Sequence, residues 1–449
     1  MKARSLVIAT LIIFARGMLA QTMLDLDEQY EQEFAELSSE QKLYALIPID
    51  NREQFSLLQC MQMAMHKNEQ VLIAKEQIAV QQGITRRTLA NLLPQLSVAG
   101  ELFRTQLIGR QVPPATDGSV GWLTLTAPVF DASSILSTIN SYASIRQARA
   151  SLNASEHDTL MQVGRAFYQA YLQSRLVKVT QSQLERARAE EQSMARRVDA
   201  GHSASLDLQR AKLVTVRAVE RLQRDQVAYK LALGNLGFLI HQKTEFDLAA
   251  PSLLTEIEQQ ASVEEFEQRA EKNRPDLKVR RIAFEIAHRA RLTGWLQFFP
   301  RLELASDLRG PFGGFASDVS LQLRIPLYDG GARYGVIRET AARRQQELLL
   351  LRQKERGTVL EVRGALTDIE LKKQFLTTEK SALELAQAVL KSSKNLYQVG
   401  HATSLDLMTA ETQLSRAEND FEKATLNLEV SRLNMIYTLG ELPRVFDLH

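Results

Sequence analysis

The densest set of potential metal ligands lies within seven residues: Cys60, Met61, Met63, Met65 and His66. A thiol, thioethers and an imidazole suit a soft metal. They also fall in a helical pattern, with Met61 and Met65 one turn apart on one face, and core packing is the reading adopted here. Cys60 is the single cysteine, which excludes an internal disulfide framework and a Cys-based zinc cluster. The seven histidines (66, 157, 202, 241, 288, 401, 449) form no His-Glu-x-x-His pair. No Gly-x-Ser-x-Gly elbow or phosphate-binding loop occurs either, and Gly310 to Gly314 reads as a loop between strands. The chain is therefore expected to be neither an enzyme nor a holder of a metal or other cofactor.

The elements around these residues follow from composition. Of 449 residues, 45% are apolar and 24% charged, which excludes wholesale disorder. The 55 Lys plus Arg against 53 Asp plus Glu leave +2, with no basic excess to suggest nucleic-acid binding. The 21 glycines and 11 prolines fall short of the usual ~12% combined. No proline lies between Pro128 and Pro251 or between Pro326 and Pro443. An interior proline costs a helix ~3 kcal/mol, so each gap has room for very long helices.

Met1-Lys2-Ala3-Arg4 and the apolar run to Ala15 predict a signal peptide over 1–20 and hence export. Cleavage after Gly17 and after Ala20 are both open. No cysteine lies beside either point, so no lipid anchor is indicated. An acidic extension (21–54) follows, with seven acids and no base over 25–40, which reads as a solvated tether or a marginal helix. No later apolar run is long enough for a membrane helix.

The mature chain repeats itself. Gly201-His202-Ser203-Ala204-Ser205-Leu206-Asp207-Leu208 returns as Gly400-His401-Ala402-Thr403-Ser404-Leu405-Asp406-Leu407 at an offset of 199. Ala127-Pro128-Val129-Phe130-Asp131 returns as Ile325-Pro326-Leu327-Tyr328-Asp329. Pro94-Gln95-Leu96 matches Pro300-Arg301-Leu302, Lys67-Asn68 matches Lys272-Asn273, and Leu236-Gly237 matches Leu439-Gly440. Repeat 1 is placed at 55–240, a linker at 241–261, repeat 2 at 262–441 and a short tail at 442–449.

Each repeat predicts the same order. One helix (Phe55 to Leu93; Val263 to Phe298) stops at Pro94 or Pro300. A β-hairpin follows at about 95–129 or 301–326, marked by period-two alternation such as Val319, Leu321, Leu323 and Ile325 against Asp318, Ser320, Gln322 and Arg324. A run of nearly 70 residues then reads as one long helix, with Ile369, Leu376, Leu383, Leu390 and Tyr397 spaced every seven. Leu160, Val163, Phe167 and Ala170 give the matching seam in repeat 1. Tip turns at 199–207 and 398–406 precede return helices. Gly201 and Gly400 suit the left-handed position that ends a helix. Ser205 and Ser404 suit its cap, and Asp207 and Asp406 its first turn.

Four short amphipathic strands cannot stand alone in water, because their edges are open and their apolar face is bare. In an exported chain, copies could close them into a membrane barrel. Phe103, Trp122, Phe130, Phe298, Phe299, Phe312, Phe315 and Tyr328 lie in or beside the strands, where interface-anchoring aromatics would sit, although for any single one ordinary packing is the simpler reading.

The doubled set of Pro-Gln-Leu, Pro-Leu-Tyr-Asp-Gly-Gly (326–331) and Gly-x-x-x-Ser-Leu-Asp-Leu tips resembles the TolC-type outer-membrane efflux family over about 55–441. The resemblance implies a mainly α chain with a small β part. It implies a homotrimer, a twelve-stranded barrel with four strands per chain, and a long α-helical barrel of coiled-coil helices across the periplasm. It further implies a passive exit duct that docks by its tips (Gly201, His202, Ser205, Leu206, Gly400, His401, Ser404, Leu405) on a periplasmic adaptor. An inner-membrane transporter would supply the energy.

In that family, acids six positions after the tip glycine narrow the entrance, and Asp207 and Asp406 match them. A tyrosine three before the second glycine matches as Tyr397. Ala402 and Thr409 replace a gate arginine and a further acid, so the family's salt-bridge lock departs from the pattern here. Gate carboxylate and helix-start residue remain two readings of each Asp. His202 and His401 could make closure pH-sensitive, because imidazole titrates near ~6.5; polar turn residue is their simpler reading. A soluble periplasmic coiled-coil adaptor or scaffold is the alternative for the whole chain. Adaptors carry one helical hairpin, whereas two equivalent hairpins, each preceded by strands, favour the duct.

Overall fold

The computed structural model describes residues 54–105, 116–242, 246–251, 262–310 and 316–446. The predicted signal peptide, residues 21–53 of the extension, Pro113-Pro114, Phe312, Phe315 and most of the linker lie outside them. The chain divides into two compact units. Of the described residues, one unit holds 75–150 and 278–352, and the other holds the remainder.

In the first unit, strands β2 (Gln95–Thr105), β3 (Thr116–Phe130), β5 (Arg301–Gly310) and β6 (Ala316–Arg324) form one antiparallel sheet in the order β2-β3-β5-β6. The two hairpins are thus not separate: β3 of repeat 1 pairs with β5 of repeat 2. Residues paired across strands share a face. The register Leu96↔Leu125, Val98↔Leu123, Leu123↔Leu308, Leu302↔Leu323 and Leu304↔Leu321 gathers the apolar side chains on one face. That face is bare, with Val98 79% and Leu321 63% exposed. The other face carries Thr124, Glu303, Asp307, Gln322 and Arg324, and Thr124 Oγ1 donates to Asp307 Oδ1 at 2.7 Å. Trp122, two residues before Thr124, lies on this polar face, opposite Leu123 and Leu125. Pro128, without an N–H, sits where the β3–β5 register shifts before Phe130.

The aspartate that ends each Pro-x-aromatic-Asp match caps a long helix. Asp131 Oδ1 accepts from the Ser133 and Ser134 amides at the start of α3 (Ala132–Asp199). Asp329 accepts from the Gly331 and Arg333 amides at the start of α7 (Ala332–Gln398).

In the second unit, each first helix predicted as continuous is two. Helix α1 (Leu57–Lys67) breaks at Asn68 before α2 (Glu69–Ala90), and α5 (Val263–Asn273) breaks at Arg274 before α6 (Pro275–Leu296). Pro275 forces the residue before it into an extended conformation and then opens the next helix. Asn68 is held by its side chain, whose Nδ2 donates to the Leu239 carbonyl at 3.0 Å and whose Oδ1 accepts from the Gln70 amide. Strand β1 (Gln54–Phe55) pairs in parallel with β4 (Asp247–Leu248), a contact without a sequence signal.

Two apolar clusters fill this unit. Cys60, Met61 and Ala64 of α1 pack with Leu160, Val163, Phe167 and Ala170 of α3 and with Leu236 and Ile240 of α4 (Ser205–Ile240). Phe266 and Ala270 of α5 pack with Val362, Ala365 and Ile369 of α7. Helix α8 (Ser404–Leu439) feeds both, sending Leu433 and Ile436 to the first and Leu428, Met435 and Leu439 to the second. The short α9 (Leu442–Val445) closes the chain against the first cluster through Leu442.

Both return helices have 36 residues. Residue His241, in the left-handed conformation (φ 59°), therefore corresponds to Gly440 (φ 74°). This replaces the match of Gly237 with Gly440: Gly237 lies inside α4.

Candidate functional site: the paired helix tips

Both tips close in the same way. At the end of α3 the His202 amide donates to the Arg197 carbonyl (2.7 Å) and the Gly201 amide to Val198 (3.0 Å). At the end of α7 the His401 amide donates to Leu396 (2.8 Å) and the Gly400 amide to Tyr397 (3.3 Å). This six-to-one closure requires a left-handed residue. Gly201 and Gly400 supply it at φ 75° and 79°. The side chains of His202 and His401 are exposed, and their backbone amides carry the closure.

The return helices start differently. Ser205 and Ser404 are first helical residues rather than the expected caps, and the caps are Ala204 and Thr403. Ala204 makes no side-chain bond. Thr403 forms a full capping box: its Oγ1 accepts from the Asp406 amide at 3.2 Å, and Asp406 Oδ2 accepts from the Thr403 amide at 2.9 Å. The Thr403 hydroxyl also donates to Asp406 Oδ2 at 2.6 Å. These bonds hold the Asp406 carboxyl below its usual range, so the exposed side chain stays ionised. Asp406 thus has a sufficient local role at the helix start.

Asp207 does something else. Its Oδ1 accepts from the Ser404 hydroxyl at 2.5 Å, with Arg210 Nη1 3.5 Å away. Ser404 is buried, which removes it from the expected docking surface, whereas Leu206 and Leu405 remain exposed. The Tyr397 hydroxyl donates to Met194 Sδ at 3.5 Å, and the Arg197 guanidinium lies 4.6 Å above its ring. Asp207, Ser404, Tyr397 and Arg197 therefore tie the two tips together, while Asp406 stands apart.

Behind the tips is a pocket lined by α3 (Ala187, Glu190, Met194), α4 (Ala211, Val214) and α8 (Ser404, Leu407, Met408, Glu411). Burial, reinforced by the Glu190 charge, pushes the Glu411 carboxyl up to about 7. Neither residue belongs to the repeated motif, and only the fold brings them together. Between α3 and α8, Arg175 grips Glu422 with two bonds (3.1 and 2.6 Å) and Arg186 reaches Glu418 at 2.6 Å.

The Cys60–His66 set holds no such geometry. Cys60 and Met61 are core residues, and burial pushes the Cys60 thiol up to about 12. Among the described residues no three His, Cys, Asp or Glu side chains are grouped to hold a metal. No described helix is long and apolar enough to cross a membrane.

Residues 267–441 match the family model described as "Outer membrane efflux protein". This segment is similar to that family. Curated relatives align over a shorter stretch. "Proteases secretion protein PrtF" of Dickeya chrysanthemi and "Outer membrane protein TolC" of Escherichia coli K12 are each 27% identical over 124 residues, 28% of this chain. The chain spans about a quarter of their length, 27% and 25%. Solved structures cover more of it. The outer membrane protein VceC of Vibrio cholerae matches with a TM-score of 0.75 at 18% identity, over 86% of this chain and 96% of that one. CusC matches at 0.78 and 16% identity, over 86% and 92%. The open-state MtrE outer membrane channel of Neisseria gonorrhoeae matches at 0.72 and 18%, over 86% and 88%. The segment that matches the family model is thus part of a chain that carries the mainly α, partly β fold of these solved outer-membrane proteins.

Proposed function

We propose that the chain is the outer-membrane exit duct of a tripartite efflux pump or a type I secretion system. It would sit in the outer membrane and extend into the periplasm. The observation that carries this reading is the four-stranded sheet with one bare apolar face, one polar face and edge strands β2 and β6 unpaired among the described residues. Lipid accepts such a face only when every backbone group is satisfied, which requires a closed barrel. Closure by three copies would pair β6 of one with β2 of the next and give twelve strands. The exposed Leu213, Val216, Leu231 and Phe238 on α4, and Leu360, Leu385 and Leu396 on α7, supply apolar surface for packing between copies.

In this reading the duct is passive, and an adaptor and an inner-membrane transporter work with it. The exposed His202, Leu206, His401 and Leu405 offer a docking rim beside Gly201 and Gly400. Asp207, Asp406 and Tyr397 would narrow the entrance, with six carboxylates in three copies favouring cations. The name of the PrtF relative, which refers to protease secretion, supports an export role.

Membrane fractionation followed by planar-bilayer recording tests the proposal. The expected result is a detergent-extracted trimer in the outer-membrane fraction that conducts. A monomer in the soluble periplasmic fraction overturns it.

A further inference from the structure

The pocket behind the tips places two carboxylates, Glu190 of α3 and Glu411 of α8, in a lining otherwise made by residues such as Met194, Ala211, Val214 and Leu407. Glu411 makes no hydrogen bond or ion pair among the described residues. The charged groups acting on it are Glu190 and Arg186 from α3 and Lys394 from α7, while α4 contributes only uncharged Ala211 and Val214 to the lining. Arg186 is already engaged with Glu418 at 2.6 Å. The same lining includes Ser404 and Leu407, the buried start of α8. Ser404 in turn holds Asp207 across the tip. Movement of the start of α8 away from α3 and α4, the two helices that line the pocket with it, also breaks the bond between the tips.

We propose that the Glu190–Glu411 pocket is a pH-sensitive latch. With Glu411 protonated, the start of α8 stays packed on α3; with both carboxylates charged, the packing loosens and the Ser404–Asp207 bond is released. Two half-buried carboxylates in a mainly apolar lining repel each other and lose part of their solvent, so the charged pair disfavours the packed form.

The direction follows from linkage. The packed form holds the Glu411 proton up to about 7, whereas a solvated Glu releases it near ~4.3. Below ~pH 4 both forms are protonated and packing is at full strength. As pH rises from there towards about 7 the loosened form ionises first, and packing weakens progressively. Above about 7 both forms are ionised and the loss is complete, bounded at roughly five hundredfold in the packed-to-loosened ratio.

Such a latch takes its physiological meaning from the duct reading, yet it can be tested without conduction. Amide hydrogen exchange of the full chain in detergent, at ~pH 5 and ~pH 8 and corrected for intrinsic rates, reports on residues 199–207 and 404–411. Protection in the wild type is expected to fall about tenfold or more at the higher pH. Glu411→Gln is expected to keep the low-pH protection at both values, and Glu190→Gln to shrink the drop. Equal protection at both pH values in the wild type overturns the latch, as does an undiminished drop in either variant. A silent channel in bilayers would count against the duct and leave this exchange result standing.

Discussion

The Ser404 hydroxyl meets the Asp207 carboxylate at 2.5 Å, joining the first turn of α8 to the first turn of α4. One residue of each repeat takes part, at positions that the 199-residue offset makes equivalent to Ser205 and Asp406. Those two counterparts do not meet in the same chain: Ser205 is exposed and Asp406 is turned onto Thr403.

Ser404→Ala removes a buried donor to a charged acceptor, a change of ~1.5–3 kcal/mol in local stability. Faster exchange at the tip amides and higher leak conductance are expected. Asp207→Asn combined with Asp406→Asn is expected to lower cation preference or raise leak. Single-channel behaviour identical to wild type in that double variant would remove both residues from the entrance.

Arg274 is 3% exposed and holds together the break between α5 and α6. Its guanidinium donates to both oxygens of Asp276 (3.0 and 2.7 Å) and to Glu361, and Lys354 reaches Asp276 at 2.7 Å. Arg274→Ala leaves these carboxylates without their buried partner and is expected to destabilise the fold by ~3–5 kcal/mol in denaturant titration. Burial alone would raise the Asp276 carboxyl, but the hydrogen bonds from Arg274 and Lys354 outweigh it and hold it far below the usual range. The ion cluster therefore contributes fully above ~pH 4 and loses its contribution as pH falls below that. The stability gap between wild type and variant should narrow on acidification.

The two faces of β6 can be told apart by charge. Leu321→Arg places a cation on the bare apolar face and is expected to cost ~2–4 kcal/mol in a bilayer, enough to lower the amount of assembled trimer in outer membranes. Gln322→Arg, on the opposite face, should assemble normally. Equal tolerance of both would mean that the apolar face does not meet lipid.

Gly440 and Gly201 separate conformation from space. Both have positive φ, but a Cβ on Gly440 would lie 2.8 Å from the Arg274 backbone, whereas nothing lies within 4 Å of one on Gly201. Gly201→Ala is expected to cost ~1 kcal/mol from backbone strain alone. Gly440→Ala should cost clearly more in a thermal melt, because the facing atoms are main chain and cannot swing aside.

Local signals carried much of this architecture. Period-two alternation and the prolines around 94–128 and 300–326 located the four strands, and the heptad from Ile369 to Tyr397 marks the less exposed side of α7. What the sequence left hidden was non-local or fine-grained. The Asn68 break rests on a bond to Leu239, 171 residues away. The pairing of β3 with β5 joins strands from different repeats. At the tips, the glycines were visible because αL geometry demands them. Thr403 does not stand out as the cap because Ser404, beside it, carries an equally suitable hydroxyl. Glu190 and Glu411 have no spacing in common, so only folding reveals them as neighbours.

Helix α8 lends apolar side chains to both clusters of its unit, Leu433 and Ile436 to one and Met435 and Leu439 to the other. Severing the chain in the linker would therefore leave the amino-terminal fragment with a core open on the side that α8 normally seals. The amino-terminal half is thus not expected to fold as an autonomous module. Complementation between the fragments, if achieved, would have to begin with the carboxy-terminal piece donating this one helix.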